Sequence, residues 1–237
     1  MTDRYARSEP LIPEWAGPAY LIVSALTALT YLALVSLAPG AAGLALTKAL
    51  GIVMLGLYAL VNRAPLLAIA LVLSSGGDFA LDMRPPQVEA GVGFFAAAHI
   101  AYIGIFVLAI IKRGLRKDGF LLAAALAAYG AAMLVWLGPG MGDLRLSASV
   151  YLGIILVMAA LAALVHGPRL ITLGALLFVV SDTIIAARWF RQTLTASPDV
   201  LGGYDWAGAL IWVLYYGAQI SLAVGVVRMK RAMAESD

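Results

Sequence analysis

Eight apolar stretches dominate the chain, at roughly 17–38, 41–61, 65–83, 88–111, 119–137, 146–165, 168–189 and 206–227. Each is about the 20 residues that a helix needs to cross a hydrocarbon core. In lipid the backbone has no water to bond, so only helices and closed barrels can span. Barrel strands are about half this length and alternate in polarity. Composition agrees: 63% of the residues are hydrophobic and 12% charged, against about 45–50% and 25% in soluble domains. The expected fold is all-α, a polytopic membrane bundle of eight transmembrane helices forming one domain over residues 1–237, with short tails at about 1–16 and 228–237.

The breaks between stretches carry turn and charge signals: Pro39-Gly40, Asn62-Arg63, Arg84-Pro85-Pro86, Lys112 to Asp118, Gly138-Pro139-Gly140, Gly167-Pro168, and a longer segment from Arg188 to Asp205. Pro65 and Pro168 stand at helix starts, where a missing N–H costs nothing. With eight spans, both termini and the breaks after helices 2, 4 and 6 share one side. That side holds Arg4, Arg7, Arg63, Lys112, Arg113, Arg116, Lys117, Arg169, Arg228, Lys230 and Arg231. The other side holds Arg84, Arg145, Arg188 and Arg191, and Lys48 lies within helix 2. This bias places both termini in the cytoplasm, with a bacterial inner (cell) membrane as the expected location.

The first stretch is read as a span, not a cleaved signal. It is too long, Asp3, Glu9 and Glu14 precede it, and Pro39 would follow a cut after Ser36-Leu37-Ala38. A weak echo links Leu50-Gly51-Ile52-Val53-Met54 to Leu152-Gly153-Ile154-Ile155-Leu156-Val157-Met158, and Asp78 to Asp182. A parallel four-plus-four duplication and chance similarity in Leu/Ala-rich sequence both account for it. The net charge of +3 comes without a basic run suited to a nucleic-acid groove. The absence of cysteine excludes disulfides, thiolate metal sites and a Cys nucleophile. The bilayer is the one partner that composition specifies, and the sequence carries no mark of oligomeric state.

Ionisable residues inside spans are costly, about 2.5–3.5 kcal/mol each near the bilayer centre, and mark candidate sites. Lys48, Asp78, His99 and Asp182 qualify, and Ser74, Ser75, Tyr102, Tyr151, Ser181, Tyr215, Tyr216 and Gln219 supply groups able to satisfy them. Ser74, Asp78 and Asp82 recur every four residues on one stripe of helix 3. Trp212, Tyr216 and Gln219 share a face of helix 8. Counted at about 1.5 Å per residue, Lys48, Asp78 and Asp182 reach similar height in the outer half of the membrane, and His99 lies deeper. One polar pocket opening outward, or sideways into the outer leaflet, accounts for them all.

Simpler readings stand beside this one. Lys48 could be a structural counter-ion, His99 a helix–helix hydrogen bond, and the helix 8 aromatics an ordinary packed face. Ser75-Gly76-Gly77 either permits close helix packing or loosens helix 3 before Asp78. His166 reads as interfacial. Asp78, Asp182 and His99 are the only plausible metal ligands, no H-E-x-x-H is present, and neither a metal nor another cofactor is expected. A Ser181–His99–Asp182 triad lacks the G-x-S-x-G elbow, and adjacent residues on a helix point about 100° apart.

Five motifs occur in order: Lys48; Ser74-Ser75-Gly76-Gly77-Asp78; Ala98-His99-Ile100-Ala101-Tyr102; Leu177-Phe178-Val179-Val180-Ser181-Asp182; and Tyr215-Tyr216-Gly217-Ala218-Gln219. Together, over about residues 40–227, they resemble the YhhN-like family, whose animal members are lysoplasmalogenases. The resemblance implies hydrolysis of the vinyl-ether bond of a lysophospholipid, lysoplasmalogen, to a fatty aldehyde and a glycerophospho-ethanolamine or -choline. Such ethers hydrolyse by protonation of the β-carbon and trapping of an oxocarbenium ion by water, which suits one neutral and one ionised carboxyl group. Burial favours the neutral form of a carboxyl group and a nearby cation the ionised form. On this reading Asp78, Asp182, Lys48 and His99 are catalytic, the two aspartates being interchangeable at this level. Ser74, Tyr102, Tyr151, Ser181, Tyr215, Tyr216 and Gln219 line the substrate. Arg188 and Arg191 either grip the lipid phosphate or belong to an ordinary interfacial loop.

Two other classes compete. A proton-coupled transporter would use the same buried groups as a relay, although they cluster at one depth. A lipid-binding protein without turnover would only hold a headgroup. A water-filled path reaching both faces would favour transport, and a closed pocket with a lateral opening would favour a lipid enzyme or binder.

Overall fold

Each apolar stretch forms a helix. They are α1 (Ala16–Leu37), α2 (Leu44–Val61), α3 (Pro65–Asp82), α4 (Val88–Arg113), α5 (Phe120–Leu137), α6 (Arg145–Leu164), α7 (Arg169–Arg191) and α8 (Trp206–Ala234). The structure is a computed structural model that describes residues 13, 15–37, 43–83, 85–193 and 205–235. Arg4, Arg7, Arg84, the Ala38-Pro39 step and most of the segment between α7 and α8 fall outside them. All eight helices are long and apolar enough to cross a membrane, as an integral membrane protein requires. Among the described residues the one β feature is an isolated bridge between Leu115 and Val165.

Helix ends depart from the apolar limits where charge begins. α4 runs on to Arg113 and α8 to Ala234, beyond the expected 111 and 227. Lys and Arg are good helix formers, so the backbone continues after the hydrophobic side chains stop. Gly114, at φ 75°, then ends α4, its N–H donating to Ile110 O at 2.7 Å.

Contacts between the breaks show which helix ends lie together. Leu115 bridges to Val165, Arg113 donates to Ala232 O at 2.7 Å, and the Arg231 guanidinium bonds the Asn62 side chain. Arg63, Lys112, Arg116, Lys117, Arg169, Arg228 and Lys230 sit on the same breaks or helix ends, so this is the basic end. At the other end Arg188 pairs with Asp205, and Gly140 packs against the backbone of Phe190.

Consecutive helices α1 to α4 pack side by side, α4 lies against α6, α6 contacts α5 and α7, and α7 packs on α8, which returns to α2. The neighbours repeat with a four-helix shift: α2–α3–α4 corresponds to α6–α7–α8, and α4 on α6 corresponds to α8 on α2. Lipid offers no hydrophobic drive for these contacts, so close approach has to come from small residues. A Cβ at Gly77 of α3 would stand 2.7 Å from the Phe95 ring of α4, and one at Gly174 of α7 would stand 2.8 Å from Ala218 O of α8. The outward faces are apolar as well, with Leu121, Val135 and Ile111 exposed, because lipid is their solvent.

Candidate active site

α2 and α3 are adjacent and antiparallel, so Lys48 near the start of α2 meets the end of α3. Asp78 and Asp82 are one helical turn apart, and one ammonium bridges both. Lys48 Nζ stands 3.3 Å from Asp78 Oδ1 and 3.3 Å from Asp82 Oδ1. The Asp78 side chain is 4% exposed and that of Asp82 is 28% exposed, so Asp78 is the inner partner and Asp82 the outer. α8 completes the group: Tyr215 donates its hydroxyl to Asp78 Oδ2 at 2.6 Å. The Lys48 ammonium also lies over two rings, Tyr31 of α1 at 5.8 Å and Trp212 of α8 at 5.9 Å, a placement that favours the cation.

Asp182 of α7 stands in different company. Tyr151 of α6 donates its hydroxyl to Asp182 Oδ2. The same hydroxyl lies 3.1 Å from His99 Nε2 on α4. A phenol has one proton, here committed to Asp182, so His99 bonds it as the Nε2–H donor. His99 Nδ1 is buried and has no partner among the described residues. Among the described residues no cation pairs with Asp182, and no three His, Cys, Asp or Glu side chains converge to hold a metal ion.

Both carboxyl groups face one cavity of about 170 Å³. Its polar lining includes Lys48, Asp78, Tyr151, Ser181, Asp182 and Tyr215, with Tyr31 and Thr183, and most of the remaining wall is apolar, including Val92, Met133, Leu137 and Trp189. A second hollow of about 310 Å³ shares Val92, Ala148, Trp189 and Phe190 with it, and carries Glu89 and Asp143 at the end opposite the basic one. On the inner side Phe95, Phe178 and Tyr215 meet edge to face, with centroids 5.3–6.3 Å apart. These rings form its floor.

The residues singled out by sequence divide accordingly. Lys48, Asp78, Tyr151, Ser181, Asp182 and Tyr215 line the cavity; His99 meets it through Tyr151. Ser181 donates to Ile211 O at 3.2 Å, which commits its proton to α8 and leaves none for a triad. Ser74 returns its hydroxyl to Ala70 O at 3.0 Å within α3. Tyr102 donates to Gln219 Oε1 at 2.8 Å in a buried pair behind the floor. Tyr216 turns to α1, 2.9 Å from Ser24, which donates to Gly51 O at 2.6 Å. Ser75 donates to Ala49 O at 3.1 Å, and Gly76 and Gly77 face Phe94 and Phe95 within an unbroken α3, so this segment serves packing. Arg188 forks onto Asp205 with two bonds of 3.0 Å. Asp205 also caps α8 through Gly208 N at 2.9 Å, which makes Arg188 a tie between helix ends and takes it away from a phosphate.

Asp82, Tyr31 and Trp212 belong to the Lys48 group, although spacing singled out none of them as a site residue. Asp82 had a readable signal, four residues after Asp78. Tyr31 had none, because its approach to Lys48 depends on where α1 lies.

With this geometry in view, comparison with known proteins is decisive at the family level. The model of the YhhN family matches residues 43–226. The chain belongs to the YhhN family. Lysoplasmalogenase TMEM86B of Sus scrofa is 34% identical to this YhhN-family protein over 157 residues, 66% of this chain and 61% of that one. The match thus spans less than two thirds of the relative's length. No solved structure matches. α1, with Ser24 and Tyr31, precedes the matched segment.

Proposed function

We propose that this YhhN-family protein is a membrane hydrolase that cleaves the vinyl-ether bond of lysoplasmalogens, releasing a fatty aldehyde and a glycerophospho-alcohol. The observation that carries this reading is a single apolar cavity bearing two carboxyl groups of opposite surroundings, one held by an ammonium and one by a phenol. The relative's name supplies the substrate class. Both carboxyl groups open into one largely apolar cavity that adjoins the hollow at the end opposite the basic one, which favours a lipid enzyme over a transporter.

In this mechanism Asp182, without a cation, is the neutral acid, and Asp78, against Lys48, is the carboxylate. Asp182 gives its proton to the β-carbon of the enol ether, and the π electrons move to leave an oxocarbenium ion. Water adds to the α-carbon of that ion while Asp78 takes one of the water's protons, forming a hemiacetal. On collapse the hemiacetal hydroxyl returns a proton to Asp182, and Asp78 protonates the departing glycerol oxygen. Both groups end as they began. Lys48 keeps Asp78 ionised, Tyr215 fixes its second oxygen, and Tyr151, set by His99, orients Asp182. The alkenyl chain lies along the apolar wall, and the headgroup sits in the outer hollow with its ammonium toward Glu89 and Asp143. Eleven Lys and Arg on the terminal side against four on the other orient the protein with both termini in the cytoplasm.

The test is aldehyde release from lysoplasmalogen by purified protein in heavy water. Protonation at carbon requires one solvent deuterium at C2 of the aldehyde. Release that lacks this label, or full turnover by both Asp78→Asn and Asp182→Asn, would overturn the mechanism.

A further inference from the structure

A second feature lies at the opposite end of the bundle and takes no part in this chemistry. The ends of α4 and α8 frame an apolar groove of about 320 Å³. Its sides come from one face of each helix, Ile105, Leu108 and Ala109 on α4 and Val226 and Met229 on α8, and the first turn of α3 closes it. An aliphatic chain would match these walls.

Charge at the mouth specifies the rest. Lys112 and Lys230 both line the groove, and neither has an acidic partner among the described residues. Among the described residues no carboxylate lines it. The closing turn of α3 begins at Ala64, which has no side-chain acceptor, and Pro65 has no N–H. The amides of Leu66 and Leu67 are therefore uncapped at the positive pole of an 18-residue helix. Two ammonium groups and the uncapped first turn of α3 at the end of an aliphatic slot are complementary to a phosphodiester carrying an acyl tail. Basic pockets between transmembrane helices on the cytoplasmic side hold anionic headgroups for the same reason.

We infer that this groove binds one anionic phospholipid of the leaflet at the basic end, with an acyl chain between α4 and α8 and its phosphate on Lys112, Lys230 and the α3 N-terminus. The site is separate from the cavity of Asp78 and Asp182, and the inference stands whether or not the hydrolase reading does.

Native mass spectrometry of the full chain in detergent tests it, titrating dioleoyl-phosphatidylglycerol against dioleoyl-phosphatidylcholine. One phosphatidylglycerol is expected to stay bound under conditions that strip phosphatidylcholine. Replacing both lysines, Lys112→Gln with Lys230→Gln, is expected to raise the phosphatidylglycerol Kd about 30-fold, while Lys112→Arg with Lys230→Arg retains it. Leu108→Trp, at a position 58% exposed, should block the slot and lower retention with both charges intact. Size-exclusion profiles of all variants check that they are folded. Equal retention of the two lipids, or an unchanged Kd in the Gln pair, overturns the proposal. So does displacement of the lipid by millimolar inorganic phosphate, which would mark a free-anion site, or a protein dimer that excludes the lipid.

Discussion

Asp78 and Asp182 are the same residue on helices four apart in the chain, α3 and α7, and both reach one cavity. Around Asp78 are a lysine, a second aspartate, a tyrosine and two aromatic faces turned toward the lysine. Around Asp182 are a phenol and, behind it, an imidazole. The first set stabilises a charge and the second accommodates a neutral group. Where the helix neighbours repeat, this difference in environment is what the proposed mechanism uses to divide acid from base between two identical carboxyl groups.

The sharpest way to break this contrast is to compare the two amide variants for rate and for stability. Asp182→Asn is expected to cut aldehyde release by about 10²–10⁴-fold and to leave thermal stability in detergent near that of the parent, because an amide resembles a neutral acid. Asp78→Asn should lose rate to a similar extent and about 1–3 kcal/mol of stability as well, since it strips Lys48 of its inner partner. Equal stability of the two variants would erase the assigned difference.

Lys48→Met sharpens the same point from the other side. Asp78 would then be a buried carboxylate beside Asp82 without a cation, costing about 3–5 kcal/mol, and the double variant with Asp78→Asn should recover part of that loss. A double variant no more stable than Lys48→Met alone would show that Lys48 does not act through Asp78. On the Asp182 side, Tyr151→Phe removes the hydroxyl between Asp182 and His99. A fall of about 10–100-fold in rate is expected, and His99→Phe should add little once Tyr151 is gone. Additive losses would instead give His99 a role of its own.

Smaller effects belong at the margins. Tyr31→Leu should lower stability by about 0.5–1 kcal/mol through its ring contact with Lys48. Arg188→Gln should cost about 1 kcal/mol or less and leave the KM for lysoplasmalogen unchanged, because Arg188 is committed to Asp205. A large rise in KM would return Arg188 to the lipid phosphate.

How far the sequence could be read depends on which interactions are local. The eight helices followed from apolar length, since a chain in lipid must satisfy its own backbone within each span. Their ends were less legible, because Lys and Arg end the membrane but not the helix, as α8 shows between Val227 and Ala234. The stripe Ser74, Asp78, Asp82 was equally local, a matter of 3.6 residues per turn. That Lys48 bridges both acids, that Tyr215 serves Asp78 while Tyr151 serves Asp182, and that Tyr216 and Gln219 turn away required the tertiary structure. Those pairings depend on how each helix is rotated and which neighbour it meets. In a bundle without a hydrophobic drive between helices, steric approach at positions such as Gly77 and Gly174 sets both. The sequence alone determined that this chain is a membrane bundle with charges inside; only the packing of its helices decided which of them meet, because contact between residues on different helices, as far as 192 positions apart in these pairs, has no local signature.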